Sequence, residues 1–194
     1  VHTLRALLDA KVGVPSLVPV VDPEAAAMCH RAGEGREVSL TLGFQLDPRW
    51  GQPLTLTGRI ARLSTGKFRY TGGIWSGQEG DMGPSAVLSV GNVHVLVTTH
   101  ATYDWADEQF RSVGLHAKEA KFVVVKNPMN YRLAYVGLSR AAFILDTPGP
   151  TPAVMNKVLY RNLSRPYYPA DRDIPGLTPR VYTSNSIPQP SRRS

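Results

Sequence analysis

Alternating apolar and polar residues predict a series of short strands through the middle of the chain. Residues 38–42 alternate Val and Leu with Ser and Thr, as in a strand with one buried face, and residues 54–60 repeat the pattern. Three more short strands are predicted to continue the series, at 67–71, 86–90 and 94–98. Gly91-Asn92 between the last two is typical of a hairpin turn. Regularly spaced short strands with turns between them indicate a largely antiparallel sheet or partial barrel.

The first third of the chain has a different pattern, of helix, strand and helix. Apolar residues from Leu4 to Val12 recur at helical spacing, and 16–21 is an apolar run short enough for a buried strand. Asp22-Pro23-Glu24 then provides an N-cap, a proline for the first helical position and an acidic first turn ahead of a helix over 25–30. A small α/β part is therefore expected beside the antiparallel strands. The predicted fold class is α+β.

A third pattern, over 121–151, predicts strand, short crossover and strand. The apolar run 122–125 ends on Lys126, and the run 141–145 ends on Asp146. Residues 131–138 between them fit a short helix. If the two strands are parallel, Lys126 and Asp146 lie at carboxyl ends on one edge of the sheet, where open α/β sheets bind their ligands.

Length and composition fit one soluble domain with an extension. The chain has 194 residues, of which 42% are hydrophobic and 19% charged. The predicted domain covers 1–169, and 170–194 is predicted to be a Pro-, Arg- and Ser-rich tail that is extended or partly disordered. No apolar stretch approaches the ~20 residues that span a bilayer, so no membrane association is expected.

The charge and the single cysteine bear on the partners and the cellular location of the protein. The net charge is +7, but the basic residues are scattered and form no nucleic-acid-binding motif, so no nucleic-acid partner is expected. Cys29 sits in an apolar helical setting, is interpreted as a core residue, and fits a reducing, cytoplasmic location. The first residues lack an initiator Met and read as the middle of a helix. We therefore expect the sequence to begin partway through a larger protein.

A search for catalytic groups finds no assignable catalytic residue and no metal site. The five histidines form none of the HxxxH, HxH or HExxH spacings of zinc sites, and His94 alternates along a strand on what is predicted to be its solvent face. No GxSxG nucleophile motif or phosphate-binding glycine motif is present. Ser85 is interpreted as the start of a strand. This chain is expected to bind no metal by itself.

One cluster of polar residues suggests a binding site. Lys126, Asn127, Asn130, Tyr131 and Arg132 place two cations and two amides within seven residues at a strand end. Arg offers a bidentate fork and Lys a point charge, so the cluster could hold a carboxylate or an amide. The alternative is a surface turn whose cations pair with neighbouring acids. At the next predicted strand end, Asp146 and Thr147 are second candidates.

Nine sequence segments, in order along the chain, together resemble one known family. The sequence resembles the C-terminal domain of the microcystinase C (MlrC) family of M81-type zinc metallopeptidase-like proteins through LRALLDA, VPVVDPEAAAMCHRAGEG, SLTLG, DPRWGQPLTLTGRIARLSTGKFRYTG, DMGPSAVLSVGNVHVLVTT, EQFRSVGL, FVVVKNPMNYRLAY, ILDTPGPT and YRNLSRPYYP. The resemblance implies a hydrolase in which an N-terminal domain, absent here, carries the zinc ligands. It also implies a peptide or amide substrate, linearised microcystin being that of the founding activity. Homo-oligomerisation stays open.

At the candidate site, the resemblance holds for Lys126 and Arg132, whereas Asn130 stands where many relatives have histidine. An amide cannot act as a general base near neutral pH, but it can still donate a hydrogen bond. Three hypotheses follow. The chain shapes the substrate cleft of a zinc hydrolase, or it is a non-catalytic structural domain whose basic rim, Lys126 and Arg132, packs against a partner. The third possibility is an independent basic ligand-binding module.

Overall fold

The structure is a computed structural model that describes residues 1–45, 47–127, 129–152, 154, 157, 158, 160–168, 170–176 and 178. It contains helices and strands in the order α1 His2–Asp9, β1 Ser16–Val21, α2 Pro23–Ala32, β2 Glu37–Leu42, β3 Leu54–Ser64, β4 Lys67–Arg69, β5 Glu79–Asp81, β6 Ser85–Val90, β7 Val93–Thr98, α3 Glu108–Arg111, β8 Phe122–Val123 and α4 Tyr131–Ala134. Three short 3-10 turns, Pro48–Trp50, Gly73–Trp75 and Ala117–Glu119, complete the described elements.

Six of the strands form one mixed sheet in the order β2-β3-β6-β7-β1-β8. The first four strands in that order are antiparallel neighbours, and β1 lies parallel to both β7 and β8. The strands β4 and β5 form a separate antiparallel pair. This arrangement confirms the predicted α+β class with a largely antiparallel middle section.

Each face of the large sheet has its own apolar core, because alternate residues of a strand point to opposite faces. On one face, Val18 and Val20 of β1 pack with Leu4 of α1 and Cys29 of α2. On the other face, Leu17 packs with Phe110 of α3 and with Phe68 of β4. The helices that follow β1 and β7 therefore lie on opposite faces of the sheet.

The buried carboxylate of Asp22 fixes the connection from β1 to α2, as the capping pattern predicted. Its Oδ1 atom accepts the amide of Ala25 at 3.0 Å, which caps the helix, and its Oδ2 atom accepts the amide of Gly43 at 2.8 Å. The same side chain thus ties the start of α2 to the end of β2. A cap of this kind stabilises a helix by about 1 kcal/mol.

The predicted β6–β7 hairpin is confirmed, with Gly91 in the turn at a φ of 56°. Gly66, in the turn between β3 and β4, is required for a different reason. A Cβ at this position would lie 1.9 Å from the carbonyl oxygen of Gly83, and its φ of 82° already disfavours a side chain. The β3–β4 turn therefore packs directly on the backbone that precedes β6.

The predicted strand over 141–145 is wrong. The five residues are exposed and belong to no strand, and the parallel partner of 122–123 is β1. The physical reason is that β8 has only two residues, so it offers an outer edge too short for a further strand. The predicted strand over 122–125 is correspondingly shortened, and the predicted helix over 131–138 is helical only over Tyr131–Ala134.

The chain divides into two compact units, Val1–Ala153 and Val154–Ser194. In the second unit, Arg165 pairs with Asp171, and the Arg165 guanidinium lies 5.4 Å from the ring centroid of Tyr167. The ring of Tyr167 also meets that of Tyr160 edge to face, at 5.4 Å between centroids. The predicted tail 170–194 belongs to this unit, and its final part, 179–194, lies outside the described residues. No described helix is long and apolar enough to cross a membrane.

Candidate functional site

The candidate site lies at one edge of the large sheet, where the parallel strands β7, β1 and β8 all have their carboxyl ends. The chain leaves β1 toward a helix on one face and β7 toward a helix on the other. Open sheets bind ligands in the crevice that forms at such a divergence. The cations at 126 and 132 follow β8 at this edge, as the sequence predicted for Lys126.

Asp104 anchors the segment that carries Lys126. Its carboxylate accepts the backbone amide of Lys126 at 2.9 Å, and its backbone carbonyl accepts the side-chain amide of Asn127 at 2.7 Å. The Asn127 carbonyl oxygen in turn accepts the amides of Met129 at 3.2 Å and Asn130 at 2.9 Å. Asn127 is only 3% exposed, so it positions the turn rather than facing a substrate.

A second set of bonds holds Asn130 against the loop after β7. Its side-chain amide donates to the hydroxyl of Tyr103 at 2.6 Å, and the Tyr103 carbonyl accepts the hydroxyl of Tyr70 at 3.0 Å. The buried side chain of Gln109 donates to the hydroxyl of Thr102 at 2.7 Å. Asn130 is therefore a hydrogen-bonding residue, the role that the sequence left open for an amide at this position.

Two further buried acids, Asp107 and Glu108, connect α3 to its surroundings. Glu108 accepts the amide and the hydroxyl of Thr71 at 3.0 and 2.8 Å, and its other oxygen accepts the amide of Ala106 at 2.9 Å. Asp107 accepts Arg111 Nε at 2.8 Å and the amide of Ala117 at 3.2 Å. These carboxylates are fully engaged in holding the loop and helix that support Asp104.

The electrostatics of this network follow from its burial. Burial raises the pKa of the Asp104 carboxyl, and the hydrogen bond from the Lys126 amide offsets part of that rise. Burial also raises the pKa of Tyr135, which directly follows α4, and the nearby carboxylates of Asp104, Asp107 and Glu108 raise it further. The phenol is therefore neutral at physiological pH. It is a buried neutral group near the acids.

In contrast to this interior, the two cations point outward. Lys126 and Arg132 are both exposed, and within the described residues neither forms an ion pair with a carboxylate. Arg132 instead donates from Nε to the hydroxyl of Tyr131 at 2.9 Å and lies 5.7 Å from that ring's centroid. This favours a binding rim over a surface turn neutralised by neighbouring acids.

The second candidates, Asp146 and Thr147, are exposed and follow a segment that is not a strand. Their placement at a strand end is therefore wrong, for the reason given for residues 141–145. The carboxyl end of β1 instead borders a shallow depression of about 320 Å³, lined by 21–24 and 43–45. Asp22 in its wall is already bonded to two backbone amides.

The described residues do not fit a metal ion. They include no group of three or more His, Cys, Asp or Glu side chains placed to hold one. The carboxylates of the network accept backbone amides and side-chain donors, which leaves them poorly disposed as metal ligands. Burial raises the pKa of the Cys29 thiol to about 11, which confirms a core residue rather than a nucleophile.

The prediction for His94 needs a correction. It is half-buried rather than on a solvent face, its Nδ1 lies 2.9 Å from the Ser89 hydroxyl, and burial lowers its pKa. Ser85, by contrast, begins β6 as predicted, and its hydroxyl donates to the carbonyl of Gly83 at 2.7 Å. Both side chains have structural partners.

Sequence reasoning missed the acids beneath the rim, Asp104, Asp107 and Glu108, together with Tyr103 and Tyr135. A signal was present, because DWADE, with three acids in five residues, begins six residues after the apolar run that ends at Thr98. A polar run at that point belongs at the carboxyl edge of the sheet. The partners of Glu108 and Asp104 at Thr71 and Lys126, more than twenty residues away, could not be read from it.

The fold and the rim define an α+β domain that offers positioned cations and hydrogen-bond donors at the carboxyl edge of a mixed sheet. The chain belongs to the MlrC C-terminus family, which it matches over residues 1–162. The family membership expected from the sequence is thereby confirmed.

Two relatives extend this comparison. Microcystinase C of Sphingomonas sp is 24% identical over 166 residues, which cover 85% of this chain and 31% of that protein. A crystal structure of a protein named "Putative metallopeptidase", from Mesorhizobium sp. BNC1, is 26% identical with a TM-score of 0.74, over 96% of this chain and 37% of that one. The chain thus spans about a third of the length of each relative.

Proposed function

We propose that this chain is the C-terminal, substrate-orienting domain of a zinc-dependent peptidase or amidohydrolase. Membership in the MlrC C-terminus family and likeness to a metallopeptidase-like structure support the class. Because the relatives are much longer, a further domain of the same protein is the expected partner. That domain, and not the described residues of this chain, is proposed to hold the zinc.

The observation that carries the proposal is the pair of exposed cations on a rigidly held segment. Lys126 and Arg132 have no carboxylate partner within the described residues, while the backbone beneath them is fixed by Asp104 and Asn127. A fixed backbone keeps both cations on one side of the segment, where they are free to bind an anionic or polarised oxygen. Their proposed ligand is a carboxylate or carbonyl oxygen of a peptide substrate.

Each neighbouring residue has a distinct proposed role. Arg132 supplies the bidentate donor, Lys126 the point charge, and Tyr131 orients the guanidinium through its hydroxyl. Asn130, fixed by Tyr103, has a side chain suited to hydrogen bonding but not to proton transfer. Clefts between domains are common ligand sites, which favours a substrate held between this rim and the metal-bearing domain.

The proposal predicts that the complete protein, but not this 194-residue chain, hydrolyses members of a panel of short peptides. Removing metal with a chelator should abolish turnover, and added zinc should restore it. Peptide cleavage followed by mass spectrometry, alongside metal analysis and circular dichroism, checks this. Cleavage by this chain at the rate of the complete protein, or cleavage that survives verified metal removal, would refute the proposal.

A further inference from the structure

One segment of the first unit exposes far more apolar surface than the rest. Between 129 and 145, seven large apolar side chains are about half exposed or more: Met129, Leu133, Val136, Leu138, Phe143, Ile144 and Leu145. Phe143 is 80% exposed and Ile144 68%. Single exposed apolar residues are ordinary, but a concentration of this kind marks an interaction surface.

Within that segment, residues 141–145 have a strand-like sequence without a strand partner. The run AAFIL is apolar at consecutive positions, a pattern typical of a strand covered on both faces. In the described chain these residues lie in no ladder, and their amides donate no backbone hydrogen bond. Both the side chains and the backbone groups are therefore available to a partner.

The charge around the segment restricts what the partner can be. From 121 to 145 the chain has four cations, Lys121, Lys126, Arg132 and Arg140, and no acid. A partner surface with carboxylates around an apolar centre complements it. A second copy meeting the same surface across a two-fold axis would bring like charges together, which disfavours a homodimer through this face.

From these observations we infer that residues 141–145 add as a strand to an open sheet edge of the domain that precedes this one in the family, and that the flanking apolar side chains cover the junction. Such β-augmentation gives affinity through backbone hydrogen bonds and specificity through alternate side chains, here Phe143 and Leu145 against Ile144. The remaining two thirds of the relatives' length supplies the candidate partner. The inference rests on the proposed function only in assuming that second domain.

The position of the segment agrees with that partner. It follows the rim by only nine residues, counting from Arg132 to Ala141. If the rim faces a substrate held by the preceding domain, a strand anchored in that domain beside it fixes the distance between the two halves of the cleft. The apolar segment thereby holds the two domains together beside the proposed site.

Hydrogen–deuterium exchange tests the inference without relying on catalysis. In the complete protein, the amides of 141–145 should exchange about 100-fold more slowly than in the 194-residue chain. Equal, fast exchange in both would overturn the inference. Protection in the short chain alone, increasing with concentration, would identify a second copy as the partner and would overturn it too.

Matched variants assign any protection to the segment's side chains. Ile144→Asp in the complete protein should restore fast exchange over 141–145, whereas Ile74→Asp should not, although Ile74 is 87% exposed. Unaltered protection in Ile144→Asp would contradict the inference. A complete protein that is protected but hydrolyses no peptide would count against the proposed function alone, and an active but unprotected one against this inference alone.

Discussion

Replacing Lys126 with Ala in the complete protein is expected to lower kcat/KM for peptide hydrolysis about 10- to 100-fold, the effect of losing one hydrogen bond to a charged group. Its zinc content and its free energy of unfolding should not change, because the Lys126 side chain is exposed and only its backbone amide is bonded to Asp104. Steady-state kinetics with metal analysis measures both. Arg132→Ala should act in the same direction, and Arg132→Lys should recover only part of the loss because Lys lacks the planar fork.

The matched control for this prediction is Lys121→Ala. Lys121 is an exposed cation five residues earlier, just before β8 and therefore at the opposite end of that strand from Lys126. Its loss should leave kcat/KM unchanged. If Lys126→Ala also left turnover unchanged, the rim would only pack against a partner, as in a structural domain.

The second large effect is expected at Asp104, a positioning residue beneath the rim. Asp104→Ala removes the acceptor of the Lys126 amide and should lower the free energy of unfolding by about 1–3 kcal/mol. Turnover should fall as well, because the rim would lose its fixed backbone. Asp104→Asn, which keeps an acceptor oxygen, should be milder in both. Chemical denaturation and kinetics on the same preparations measure these effects.

The pH dependence of the unfolding free energy distinguishes two effects of replacing Asp104. One is the removal of a buried charge, and the other is the loss of a hydrogen bond. Since burial raises the pKa of Asp104 in the folded state, the folded protein holds the proton more tightly than the unfolded chain. The resulting stabilisation is present below the ordinary Asp pKa of about 3.9 and is lost as pH rises through the raised folded-state pKa. The Asn variant should therefore gain on the wild type in unfolding free energy as pH rises through that window. A difference that does not change with pH would show that the burial of the charge has no measurable cost.

Local patterns were enough to predict most of the framework. The alternation over 38–42 and 54–60, the Asp22 cap and the Gly91-Asn92 turn each depend on residues close in sequence, and all four are confirmed. Lys126 does follow a strand that pairs in parallel, but with β1 and not with the predicted partner over 141–145. The neighbouring strand in the sheet was misassigned. An apolar run indicates that a segment is buried, but it does not identify the strand beside it.

The supporting network could not be predicted, because the bonds that tie it to the rim and to the rest of the sheet join residues far apart in sequence. Thr71 meets Glu108 across 37 residues, and Lys126 meets Asp104 across 22. No spacing rule links such positions. The strand prediction over 141–145 was wrong for a related reason. The pattern predicted a buried strand, but no described strand pairs with these residues. In the proposed arrangement the partner is another domain.

Photo-cross-linking tests the proposed substrate contact most directly. A substrate peptide with a photoreactive group beside its terminal carboxylate would be bound to the zinc-loaded complete protein, irradiated, and the adducts mapped by mass spectrometry. Adducts on 126–132 that unlabelled peptide competes away, and that weaken in a Lys126→Ala, Arg132→Ala double variant, are the predicted result. The absence of competed adducts on that segment would contradict a role for this domain in binding the substrate.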